Sequence, residues 1–226
     1  MKKITLLLLA LFAGKAFAQE TETTTTRTKT EIEWYFGFGA AFHPDYNINS
    51  NLAAGGVKEL PGVTPASVIG WNATFENNLS LTFEFGTTYT FNNRKKDGSQ
   101  LLQVPVKLRL QYILAENNKL QFAAGGDVTF IASNLSVFSD ATEIDMDDLN
   151  PETNTGFIPL RNQSWFVGPS ASLAFKDKNN RRSFVLNAGY DFCFTNSKWK
   201  SDFANIVNPV RENGGRFYVN LFIPIN

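Results

Sequence analysis

The sequence predicts an all-β chain: an eight-stranded antiparallel up-and-down transmembrane β-barrel. Three observations predict it. Strand-length segments alternate apolar and polar residues, their apolar faces carry no charge, and their connections alternate short and long. The third segment is the clearest. Leu79, Leu81, Phe83, Phe85, Thr87, Tyr89 and Phe91 fall on one face, and Ser80, Thr82, Glu84, Gly86, Thr88 and Thr90 on the other. A soluble sheet hides its apolar face under a second layer, whereas a membrane barrel turns it to lipid and keeps polar groups inside.

The elements follow in order. The first runs Glu31 to Phe42, with Ile32, Trp34, Phe36, Phe38, Ala40 and Phe42 on its apolar face. The second runs Ser67 to Glu76 through Ile69, Trp71, Ala73 and Phe75, and the third is Leu79 to Phe91. The fourth, Leu101 to Leu114, alternates from Leu102 to Leu114, and the fifth, Lys119 to Ser133, from Leu120 to Ala132. The sixth runs Ser164 to Lys176, the seventh Ser183 to Thr195, and the eighth Arg216 to Asn226. A Lys or Arg facing lipid costs about 2–4 kcal/mol near the midplane, so eight uncharged faces favour a lipid-facing belt. The turns Asn77-Asn78, Ala115 to Asn118 and Asp177 to Arg182 are tight and rich in Asn, Asp and charge. His43 to Ala66, Asn92 to Gln100, Asn134 to Gln163 and Asn196 to Gly215 are longer. Short turns then face the periplasm, with both termini. Trp34, Tyr35, Tyr89, Phe91, Tyr112, Trp165, Phe192 and Phe194 near strand ends suit the aromatic girdles at a membrane's interfaces.

The amino-terminal end reads as an export signal. Lys2 and Lys3 precede the apolar run Ile4 to Ala13, and Ala16-Phe17-Ala18 fits a cleavage site. Residues 1–18 are therefore expected to be removed, residues 19–30 to form a flexible periplasmic lead rich in Thr, and residues 31–226 to form the barrel. Losing Lys2, Lys3 and Lys15 leaves 18 basic against 21 acidic residues, a net charge of −3. That balance argues against a nucleic-acid partner. Cys193 is the single cysteine, so the barrel closes without a disulfide or a cysteine metal cluster. No cofactor is expected.

Leu102-Gln103-Val104-Pro105-Val106-Lys107-Leu108-Arg109, followed by Phe122-Ala123-Ala124-Gly125-Gly126, resembles the corresponding strands of the small eight-stranded outer-membrane barrels of porin-like or PorT-like type. The resemblance extends to the layout of the whole mature chain. It implies a bacterial outer-membrane protein in contact with outer-membrane lipid and lipopolysaccharide, inserted by the barrel-assembly machinery. Its final strand departs from that family, which commonly ends in an aromatic residue, by ending Pro224-Ile225-Asn226.

The polar faces hold Glu33, Glu76, Glu84, Lys107, Arg109, Asp127, Asp191 and Arg216. Folding the third, fourth and fifth strands about their turns sets Glu84 roughly opposite Arg109, and Asp127 near Lys107. Unpaired charge in a narrow barrel is expensive, and eight strands leave an interior just wide enough for side chains. These four residues therefore predict an ion-paired, plugged lumen. A second predicted site is the acidic loop with Asp140, Glu143, Asp145, Asp147 and Asp148, read as a solvated extracellular surface lacking the Gly and the distal Glu spacing of a calcium loop. His43, the single histidine, lies in the first long loop with Asp45 and Ser50, and no nucleophile motif frames it. The expected protein is non-enzymatic: a structural, adhesive or secretion-accessory component of the envelope that meets an envelope partner through its long loops. Two alternatives stay open, a narrow channel for small solutes and a secreted ligand-binding barrel.

Overall fold

The structure is a computed structural model that describes residues 30–92, 97–139 and 156–225. The predicted signal over residues 1–18, the lead up to residue 29, and the acidic residues Asp140, Glu143, Asp145, Asp147 and Asp148 lie outside them.

The strands of the wall are β1 (Glu31–Phe42), β2 (Val63–Thr74), β3 (Leu79–Asn92), β4 (Gly98–Glu116), β5 (Leu120–Phe138), β6 (Phe157–Lys176), β7 (Arg182–Cys193) and, after a two-stranded hairpin of β8 (Ser197–Lys198) and β9 (Arg211–Glu212), β10 (Arg216–Ile225). Each wall strand pairs antiparallel with its neighbours, and β1 pairs with β10 to close an eight-stranded barrel. A helix, α1 (Asn49–Ala54), interrupts the first long loop, as the β8–β9 hairpin interrupts the last. Asn78 and Asn180 adopt φ 63° in two of the short turns. That left-handed conformation is one Asn tolerates better than most residues. In the third short turn, the Asn117 side chain accepts the backbone N–H groups of Lys119 and Leu120, each at 2.8 Å.

The faces are inverted relative to a soluble protein. Trp34, Phe38, Ile69, Phe85, Leu108, Leu110, Val128, Val167, Leu186 and Leu221 are exposed around the wall. Glu84, Lys107, Arg109, Asp127, Asn187 and Asp191 are buried. A soluble monomer rarely exposes a contiguous apolar patch beyond a few hundred Å², and here the apolar belt runs around the whole barrel.

Four expectations are corrected. β4, β5 and β6 outrun their predicted ends by several residues, and β2 starts at Val63 and stops before Phe75. Only residues 93–97 therefore separate β3 from β4, so that connection is short. Tyr35 does not join a girdle: it points inward and packs on Phe222 with ring centroids 4.6 Å apart. Gly70 makes this possible, because a Cβ there would come within 2.6 Å of the Tyr35 hydroxyl. Glu76 does not face the interior but sits exposed beside the β2–β3 turn.

Candidate functional site: a charged layer beneath a loop cap

Glu84 of β3, Lys107 and Arg109 of β4, and Asp127 of β5 meet at mid-barrel. Arg109 Nη1 donates to Glu84, and Arg109 Nε donates to Asp127 Oδ1 at 3.0 Å. Lys107 Nζ lies 3.1 Å from Asp127 Oδ2 and 3.3 Å from Asp191 Oδ1 on β7. Arg216 of β10 completes the layer, its Nη2 3.0 Å from Asp191 Oδ2. The layer thus holds three carboxylates and three cations, all buried. Their balance matters because a pair broken in such a setting costs about 3–5 kcal/mol. Neutral groups fill the remaining lone pairs. Ser170 Oγ donates to Asp127 at 2.7 Å, and Tyr218 also donates its hydroxyl to Asp127. Lys107 Nζ sits 3.2 Å from the centroid of the Tyr218 ring, a cation–π contact. Gly189 gives Tyr218 its room, since a Cβ there would lie 2.4 Å from the hydroxyl oxygen.

The register differs from the sequence reading by two residues. Glu84 stands directly opposite Lys107, and Arg109 opposite Asp127. The Glu84–Arg109 and Lys107–Asp127 pairs form along the diagonals, which long side chains can bridge between neighbouring strands. Asp191, Arg216 and Tyr218 complete the layer without having been placed there by sequence. Their parity puts them on the inner face, but β7 and β10 are joined through a long loop that fixes no register.

The layer divides the interior into small spaces. A cavity of about 30 Å³ on the short-turn side is lined by Arg109, Arg182, Asn187 and Glu33 among others. One of about 40 Å³ on the long-loop side is lined by His43, Tyr46, Cys193 and Glu212 among others. Each has room for water, which needs about 10–15 Å³. Arg182 reaches Glu33 at 2.7 Å and Asn72 at 2.5 Å at the short-turn mouth. Lys176 donates to Glu116 nearby.

The long-loop mouth carries its own core. Tyr46, Ile48, Leu52, Val57 and Leu60 of the first loop pack with Leu101, Leu135 and Trp199. Glu212 stitches the first loop to the last: its carboxylate accepts the N–H groups of Asn47 (3.0 Å) and Ile48 (3.1 Å) and the indole N–H of Trp199 (2.9 Å). Asn49 closes the far end, accepting from Leu60 N at 2.8 Å. His43 stacks on Tyr46 at 4.6 Å. Burial, helped by the Arg216 charge, lowers the His43 pKa to about 3, and burial raises that of the Tyr46 hydroxyl. Apolar residues spaced through a long polar loop, Ile48, Leu52, Val57 and Leu60, are the one sequence signal for this cap.

Fold and interior together define a closed, eight-stranded antiparallel β-barrel with an outward apolar belt and a charge-balanced core. No family model matches the chain, and no curated protein matches it. Solved structures similar to it include Ail, the attachment invasion locus protein of Yersinia pestis, with 11% identity over 87% of this chain and 97% of that one and a TM-score of 0.44. Neisserial surface protein A has 8% identity over 87% and 99%, with a TM-score of 0.45. A major outer membrane protein from Thermus thermophilus has 10% identity over 86% and 99%, with a TM-score of 0.48.

Proposed function

We propose that this chain is a non-enzymatic β-barrel of the bacterial outer membrane with a closed lumen. In this reading it is exported by a cleaved signal and serves as a structural, adhesive or envelope-assembly component. The observation that carries the reading is the inversion of polarity, with apolar residues around the outside and paired charges within. Lipid is the medium in which that arrangement is stable, and a closed barrel leaves no unpaired strand edge in it. A secreted ligand carrier would need an apolar interior, and the charged layer counts against that. Outer-membrane lipid and lipopolysaccharide surround the belt, and the barrel-assembly machinery inserts it. A partner in the envelope meets the long-loop face, because a rigid barrel leaves recognition to its loops.

Water-sized cavities on both sides of the charged layer favour one second reading, a narrow conduction path. Single-channel recording of the purified barrel in a planar bilayer separates the two. A closed lumen gives a flat current trace over the working voltage range. Stable, stepwise openings would overturn it and support the channel.

A further inference from the structure

The β4–β5 and β6–β7 turns lie side by side on the short-turn rim, where Lys176 N donates to Lys119 O at 2.8 Å. Between them runs an open groove of about 970 Å³. Its floor is the last apolar row of the belt. Leu120 pairs with Phe175, Phe175 pairs with Phe184, and the two phenyl rings stack at 4.3 Å. Lys119 and Lys178 line it, and Arg181 stands exposed in the adjoining β6–β7 turn.

The carboxylates beside these cations are already engaged. Asp177 accepts the backbone N–H groups of Asn179 and Arg181, each at 2.8 Å, and Glu116 is held by Lys176. Across the rim the sign reverses. Glu31 and Glu76 are exposed there, and Glu33 is paired with Arg182. The rim therefore has a cationic sector over β5, β6 and β7 and an acidic sector over β1, β2 and β3.

We propose that the cationic groove binds an anionic glycerophospholipid of the inner leaflet, with the headgroup phosphate among Lys119, Lys178 and Arg181 and the acyl chains against Leu120, Phe175 and Phe184. The proposal rests on the outer-membrane reading above. Charge complementarity calls for an anion, and the apolar row directly beneath the cations calls for that anion to carry alkyl chains. A soluble phosphate would use the rim and leave the row unserved.

Native mass spectrometry of the full barrel released from vesicles of phosphatidylethanolamine and phosphatidylglycerol tests it. The wild type retains phosphatidylglycerol over phosphatidylethanolamine. The triple variant K119Q/K178Q/R181Q loses that preference. Each juxtamembrane cation contributes roughly fivefold, so the loss is on the order of a hundredfold. E31Q/E76Q, in the acidic sector, keeps the preference, and soluble glycerol phosphate does not displace the lipid. An unchanged preference in the triple variant overturns the proposal, as does displacement by glycerol phosphate. A wild type that inserts but shows no preference overturns this site alone. A wild type that fails to insert overturns the membrane reading and the site with it.

Discussion

Asp127 is the residue on which the interior turns. Arg109, Lys107, Ser170 and Tyr218 all direct a donor at its two oxygens. Asp127→Asn keeps the volume and removes the charge, leaving the layer with two carboxylates against three buried cations. It is expected to destabilise the barrel by about 3–5 kcal/mol. Urea unfolding in lipid vesicles, followed by the loss of heat-resistant electrophoretic mobility, measures this, and a change below about 1 kcal/mol would mean that the layer is not the source of its stability. Sequence brought Glu84, Lys107, Arg109 and Asp127 within reach because their strands are consecutive in the chain, β3 and β4 joined by a loop and β4 and β5 by a tight turn. It left Asp191 and Arg216 unassigned because their partners depend on how the barrel closes. Tyr218 carries no charge to mark it, and only the space left by Gly189 shows why it points at Asp127.

At the scale of the element, the strands were readable because a period of two repeats many times, while their ends were not. Above the belt, β4, β5 and β6 continue beyond the stretch where an outward apolar face sets the pattern. There Leu101 and Leu135 face inward to a core built by the loops. The cap has no periodicity to announce it, since its apolar residues come from a six-residue helix, irregular chain and a short hairpin. Its pH dependence follows from His43. The closed cap holds the imidazole neutral down to about 3, whereas an open loop protonates near 6.5. The stabilisation is complete above 6.5 and falls as the pH drops through the window towards 3, because only the open state takes the proton. Proteolytic nicking of residues 43–62 should therefore accelerate from about pH 6.5 to about pH 5 in the wild type. The His43→Gln variant should show no such acceleration over the same range. Equal acceleration in both proteins would remove His43 from the account.

For the whole molecule, one physical fact organises the rest: the chain places its charges in a balanced layer at the centre and its apolar side chains around the outside. The cap, the charged layer and the paired groups at the short-turn mouth occupy the interior in series. The most direct test of this arrangement is the accessibility of spin labels in vesicles. Labels are introduced singly, in a Cys193→Ser background, at the outward positions Phe83, Phe85, Leu108 and Leu110 and at the inward positions Thr82 and Thr88. Outward labels are expected to collide freely with oxygen and hardly at all with a water-soluble nickel chelate, as lipid-exposed sites do, and inward labels to be shielded from both. Outward labels open to the nickel chelate would place the apolar belt in water and contradict the account.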